Sequence, residues 1–184
     1  DADRVRTVTV DSYSTVVDHR SAARALEERV EAAAAVADVW RGRSLTYAAM
    51  SNHLGHYRPF WELLDLALEY ALAVHDVELP RETHEAVLAV DRDLDAFPDA
   101  RPGLDRVVEA GYEVYVLSNG SPDMLEAMVE NAGIADLIAG AVSADEVGRY
   151  KVHPQVYRRA AGRTGTPIRR FAHVTASWFD ACGA

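Results

Sequence analysis

The residues of this chain that could do chemistry gather at the ends of apolar runs. Asp11 closes the first run, in VTVDSYSTVV (residues 8–17), and Thr15 follows shortly after. Ser118, Asn119 and Gly120 end the run YEVYVLS, and Lys151 precedes a helix after a third run, LIAGAVS. Thr175 stands near the end of the last run, RFAHVTA, and Ser177 and Asp180 follow it. Taken singly, each has an ordinary reading: Asp11 as a turn former, Ser118-Asn119-Gly120 as a strand-to-helix turn, Asp180 as a helix cap. Asp11 could equally be a nucleophile displayed at the mouth of a sheet. Together these residues span most of the sequence, yet all fall at the carboxyl ends of strands, where open parallel sheets hold their ligands.

For them to meet, the runs must be neighbouring strands. RVRTVTVD, rich in Val and Thr, reads as a strand ending at Asp11. From about Ser21 to Leu94 the period becomes helical. Leu26, Val30 and Ala34 recur at fourfold spacing, and Phe60, Leu63, Leu64, Ala67, Leu68, Ala71 and Leu72 follow the i, i+3, i+4, i+7 template. Pro80 suits a first helical position. After FPDARPG a helix over 104–110 leads to the strand YEVYVLS. Ser121 then reads as an N-cap, with Pro122 opening the next helix. LIAGAVS, the helix PQVYRRAAGRTG and the strand RFAHVTA complete the alternation. Such alternation implies an α/β fold with a Rossmann-like parallel sheet covered on both faces. The core would comprise residues 1–16 and 98–184. Residues 17–97 would form an all-helical insertion at the carboxyl end of the first strand.

Composition narrows the partners. The 184 residues carry a net charge of −10, which argues against nucleic acid and anionic membranes. No apolar run approaches a membrane span. The charged start, DADRVRTV, is unlike a secretory signal, and the single cysteine, Cys182, suits a reducing compartment, so a cytoplasmic location is expected. Lys151 is the one lysine among 19 basic residues. Abundant acid with almost no lysine is expected of a salt-loving source, where salt screens self-repulsion; a GC-rich genome would bias codons the same way.

With these residues in place the sequence resembles the haloacid dehalogenase superfamily. The pattern rests on D-x-Y-x-T after the first strand, LSNG after the second, an isolated lysine ahead of a helix carrying VY, and an Asp in the terminal loop. Tyr13 occupies the place where the superfamily's phosphatases carry a second Asp. With VWRGRSLTY and SNGSPDML, it makes the chain similar to the L-2-haloacid dehalogenase branch. The resemblance implies hydrolytic dehalogenation of L-2-haloacids to D-2-hydroxy acids, without cofactor or metal, and relatives that are often homodimers. It implies a role for each matched residue. Asp11 would attack the carbon bearing the halogen and form an ester. Lys151 would supply the nearby cation. Arg41, of the pair Trp40-Arg41, would cradle the halide, helped by Asn119 and Phe60. Tyr13, Leu45, Phe60 and Phe179 would wall the pocket. Ser118, Asn119 and the helix opening at Pro122 would hold the substrate carboxylate. Asp180 would orient Lys151 or act as general base on water. Thr15, Thr175 and Tyr157 would add hydrogen bonds, with Tyr157 and Ser177 also bordering the substrate.

The chain departs from that pattern in places. The family's Gly between Tyr and Thr is Ser14, which is expected to restrict the loop after Asp11. Val152 follows the lysine where Pro is common. Ser177 and Phe179 replace Asn and Trp, and the shorter Ser177 is expected to loosen the grip on the lysine or the water. Relatives continue with a further strand and helix, so FDACGA reads as the opening of an unfinished helix. The rival readings are a magnesium-dependent phosphatase on the same fold, which would want a second acid beside Asp11, and a catalytically impaired relative acting as a binding protein. His53 and His56 have ligand spacing without an evident third ligand. Cys182 reads as a small buried residue, and His173 as a satisfied core residue.

Overall fold

The computed structural model describes residues 4–27 and 29–184. Strand β1 (Thr7–Val10) alternates Thr with Val, yet all four residues are buried. The two threonines tolerate burial because each hydroxyl has a partner: Thr166 at 3.0 Å for Thr7, and His173 Nδ1 at 2.9 Å for Thr9.

The chain then leaves the sheet for a long helical excursion: α1 (Ala22–Glu27), α2 (Ala33–Leu54), α3 (Phe60–Val74) and α4 (Arg81–Ala89). All seven apolar positions that the helical period picks out in α3 are buried. They pack against a narrower seam of α2 made of Val36, Trp40, Ser44 and Ala48. The Trp40 indole N–H donates to Leu64 O at 2.8 Å and fixes the two helices against each other. The spacing of Leu26, Val30 and Ala34 does not mark one helix. α1 stops at Glu27, and Val30 N–H turns back onto Leu26 O at 2.7 Å. α2 then starts in a new phase that leaves Ala34 exposed.

The excursion begins and ends at one seam. Asp18 N–H donates to Asp95 O at 2.7 Å, and Phe97 N–H to Val16 O at 2.9 Å, with Val17 bridged antiparallel to Ala96. Opposite the seam, Asn52 at the end of α2 grips the Tyr150 backbone twice. Its amide donates to the carbonyl at 2.8 Å, and its oxygen accepts from the N–H at 2.9 Å.

The rest alternates: α5 (Ala100–Glu109), β2 (Glu113–Ser118), α6 (Pro122–Asn131), β3 (Gly140–Ser143), α7 (Pro154–Thr164), β4 (Phe171–Val174) and the short α8 (Trp178–Gly183). α5 starts four residues earlier than the periodicity indicates, because Pro102 falls in its first turn, where no N–H is needed. Similarly, Pro80 is the cap of α4 rather than its first residue. The strands are parallel in the order β3-β2-β1-β4. The chain therefore moves outward from β1 to β3 and returns to the other side of β1. That reversal opens a crevice at the carboxyl end of β1. Asp11 is the first residue beyond it, its N–H bound to Val174 O at 2.9 Å. Among the described residues no helix is long and apolar enough to cross a membrane.

Candidate active site

At that crevice three strand ends deliver three charged groups. Lys151, in the loop between β3 and α7, is 9% exposed. Its ammonium donates to Asp11 Oδ1 at 2.6 Å, to Asp180 Oδ2 at 2.7 Å and to Leu117 O at 3.0 Å. Those three bonds use all three of its protons. The Lys151 backbone N–H is held by Asn119 Oδ1 at 2.8 Å, so the turn after β2 aims the lysine. A buried cation between two buried carboxylates is costly to assemble and far costlier to break.

Asp11 Oδ2 accepts from Thr15 Oγ1 at 3.1 Å and from Thr175 Oγ1 at 3.5 Å. Thr15 Oγ1 in turn accepts from Ala176 N–H at 3.0 Å, which ties the loop after β1 to the loop after β4. Asp180 sits in the first turn of α8. Its Oδ1 accepts from Tyr157 at 2.6 Å, and its Oδ2 from His173 Nε2 at 2.9 Å. Burial alone would raise its pKa, but the His173 hydrogen bond and the Lys151 charge win and hold it well below the usual carboxylate range. An ionised Asp180 can only accept, so the shared proton belongs to His173 Nε2, and Nδ1 faces the Thr9 hydroxyl. Burial and the bond to Asp180 push the Tyr157 hydroxyl upward, so it remains a neutral donor.

A cavity of about 540 Å³ opens over this floor, walled on its far side by α2 and α3. Asp11, Tyr13, Arg41, Leu45, Phe60, Ser118, Asn119, Lys151, Ser177, Phe179 and Asp180 line it, as the sequence led one to expect. Arg41 is half-buried, and its guanidinium makes no hydrogen bond or ion pair among the described residues. Burial lowers its pKa, while the charges of Asp11, Asp91 and Asp18 oppose the change. Phe179 lines the cavity although 51% exposed.

Other residues take different places from those expected. Thr15, Thr175 and Tyr157 stand outside the cavity, their hydroxyls spent on Asp11 and Asp180, so Tyr157 does not border it. The opening of α6 is also outside: Pro122 lines a different surface. Ser121 occupies the N-cap position, but its hydroxyl donates to Asp123 at 2.5 Å instead of capping. Ser118 is engaged by Ser12 at 2.5 Å. Ser177 does not touch the lysine. It caps α8, accepting from Asp180 N–H at 3.4 Å, and Lys151 makes its three bonds without it. Ser14 adopts the left-handed conformation, φ 67°, that its side chain was expected to disfavour; the Ser14 Oγ–His19 Nδ1 bond of 2.8 Å holds it there. Cys182 is exposed, because α8 covers nothing at that position.

Sequence reasoning missed three residues. Ser12 helps build the floor, and His19 and Asp91 line the cavity. His173, expected as a satisfied core residue, is one: both ring nitrogens have partners, in Thr9 and Asp180. Asp91 carried no signal, since a lone acid on a helical stretch normally faces water.

Comparison with known proteins decides the lineage. The model for the hydrolase family "haloacid dehalogenase-like hydrolase" matches residues 5–182. The chain belongs to the haloacid dehalogenase-like hydrolases. Within that family it is 31% identical, over 99% of its length and 79% of the relative's, to (S)-2-haloacid dehalogenase 4A of Burkholderia cepacia. It is 32% identical to the (S)-2-haloacid dehalogenase of Xanthobacter autotrophicus, covering 98% of this chain and 71% of that one. The solved L-2-haloacid dehalogenase of Xanthobacter autotrophicus, one form of which holds covalently bound chloropropionic acid, superposes with a TM-score of 0.91 at 29% identity, over 97% of this chain and 73% of that one. The chain thus has the haloacid dehalogenase-like fold, a parallel sheet with helices inserted after its first strand.

Proposed function

We propose that this chain hydrolyses L-2-haloacids to D-2-hydroxy acids through an ester on Asp11. The observation that carries the reading is the Asp11–Lys151–Asp180 row at the cavity floor, at 2.6 and 2.7 Å, beneath an Arg41 guanidinium that has no partner among the described residues. An Asp11 oxygen attacks the carbon opposite the halogen. The C–O bond forms as the carbon–halogen bond breaks, and the electron pair leaves with the halide toward the Arg41 guanidinium. Tyr13, Leu45, Phe60 and Phe179 exclude water from the reacting carbon, and Ser118 with Asn119 receives the substrate carboxylate.

Esterification cancels the charge of Asp11. Lys151 then faces Asp180 and the new ester, where its ammonium stabilises the oxyanion that forms when water attacks the Asp11 carboxyl carbon. Asp180, with three donors on it, retains an acceptor site for a proton of that water. Thr15 and Thr175 orient the Asp11 carboxylate from behind. The division into a core of residues 1–16 and 98–184 and a cap of residues 17–97 belongs to this reading, the seam at Val17 and Ala96 supporting it. So does a homodimer through the α2–α3 face, supported by exposed Met50, Leu54 and Leu66. A salt-rich cytoplasm fits the charge of −10 and the single lysine.

The test is chloride release. The (S) enantiomer of 2-chloropropionate should yield chloride and D-lactate in equal amounts, and the (R) enantiomer neither. Hydrolysis of a phosphate ester without chloride release from either enantiomer would replace this reading with the phosphatase.

A further inference from the structure

Two polar atoms in the cavity wall do nothing for the reaction described. Asp91, in the helical turn after α4, is 9% exposed, lines the cavity, and has a buried Oδ2 without a hydrogen-bond partner among the described residues. Tyr13 lines the same cavity, and its buried hydroxyl is also without one. Both residues line the one cavity, and burial leaves each of these polar atoms without water as a partner. A lone buried carboxylate is normally paired or replaced by an apolar residue, since an unmet polar atom costs roughly 1–3 kcal/mol. The cavity wall also carries apolar Ala22, Ala37 and Leu64.

We propose that the Asp91–Tyr13 end of the cavity is a subsite for an uncharged hydrogen-bonding group, a hydroxyl above all, carried on the side chain of the 2-haloacid. Space agrees. A cavity of about 540 Å³ is of a size that encloses ligands far larger than a three-carbon haloacid. Charge agrees as well. Arg41 acts on Asp91, so a cationic substituent would meet repulsion, and a second carboxylate would meet Asp91 itself. A hydroxyl can donate to Asp91 Oδ2 or accept from the Tyr13 hydroxyl. Burial holds the Asp91 pKa up at about 7, so the acid can also donate near neutrality. A site built around such groups discriminates strongly against an isostere lacking the hydroxyl, whose binding leaves them unmet.

The inference rests on the dehalogenase reading, so the experiment separates the two. Chloride release from (S)-2-chlorobutanoate by the unmodified protein tests the reaction. The subsite is tested by binding, on an Asp11→Asn background that cannot form the ester. Dissociation constants are measured by calorimetry for two isosteric pairs: 2-chloro-3-hydroxypropanoate against 2-chlorobutanoate, and 2-chloro-5-hydroxypentanoate against 2-chlorohexanoate. At one chain length or both, the hydroxylated member should bind about tenfold more tightly, the equivalent of one hydrogen bond. Adding Asp91→Leu should erase that preference, and adding the isosteric Tyr13→Phe should reduce it. Preference ratios near one in the Asp11→Asn protein, or ratios untouched by both added substitutions, would overturn the subsite whatever the chloride assay shows.

Discussion

Ser14 and His19 form a device whose energetics can be worked out. Ser14 lies three residues after the nucleophile in the left-handed region, φ 67°, with its N–H on Val17 O at 2.7 Å and its hydroxyl on His19 at 2.8 Å. A residue with a side chain costs roughly 1–2 kcal/mol in that conformation. One hydrogen bond returns about 1 kcal/mol. Ser14→Gly removes the strain but adds about 0.5–1 kcal/mol of chain entropy to the unfolded state, a net gain near 0.5–1 kcal/mol. It also loses the bond, so in the native background the change should be almost neutral. His19→Ala loses the bond and keeps the strain, and should cost about 1–2 kcal/mol. In that background Ser14→Gly should recover about 0.5–1 kcal/mol, giving a coupling near 1 kcal/mol in urea denaturation of the four proteins. Because Thr15, the next residue, orients Asp11, kcat should fall in His19→Ala with KM little changed, and partly return in the double variant. Additivity within about 0.3 kcal/mol, with no recovery of kcat, would refute the idea that His19 sets this turn.

Other expectations follow from the same geometry. Lys151→Met leaves two buried carboxylates facing each other, so turnover should all but vanish and stability should drop by about 3–5 kcal/mol in denaturant titration; near-normal turnover would remove Lys151 from the site. Asp91 ionises near 7 when folded against about 3.9 unfolded, so its favourable contribution is whole below pH 4 and is lost as pH rises toward 7. Asp91→Asn should therefore melt higher than the native chain at pH 8 and alike at pH 4; parallel melting curves would contradict the assignment. A single turnover in isotopically heavy water should place the label on Asp11 and leave the hydroxy acid unlabelled, whereas label in first-turnover product would mean that water attacks the substrate directly. Chelator should leave turnover unchanged, since the charge facing Asp11 is an ammonium, and loss with recovery by magnesium would favour phosphoryl chemistry.

What the sequence disclosed depended on the physics behind each signal. The strands were readable because Val and Thr runs end in polar turns, and α3 because a buried face must repeat with the helix. The row Asp11–Lys151–Asp180 was readable because each member follows the carboxyl end of a strand, Asp11 directly, Lys151 in the loop after β3 and Asp180 in the first turn of α8, and parallel topology does the rest. The break between α1 and α2 was not, since Leu26, Val30 and Ala34 keep a helical spacing across a turn. Nor was the choice made by Ser121, whose hydroxyl goes to Asp123 rather than to the helix end. Asp91 was invisible for a different reason: its burial comes from how the turn after α4 packs against α1 and α6, a matter of tertiary packing with no local trace.

The seam formed by Asp18, Asp95, Val16 and Phe97 has an evolutionary consequence. A segment whose two ends are hydrogen-bonded to each other can be lengthened, shortened or resculpted at little entropic cost, because closing a longer loop grows only with the logarithm of its length. Besides that ribbon, the helical excursion meets the core at separate points: the Asn52–Tyr150 clasp, Tyr57 with Asp145, and Arg92 with Asp123. The walls contributed by α2 and α3 can drift and acquire new tastes in substrate while the charged floor, built on strand ends, stays fixed. The two halves of the pocket are therefore free to evolve at different speeds.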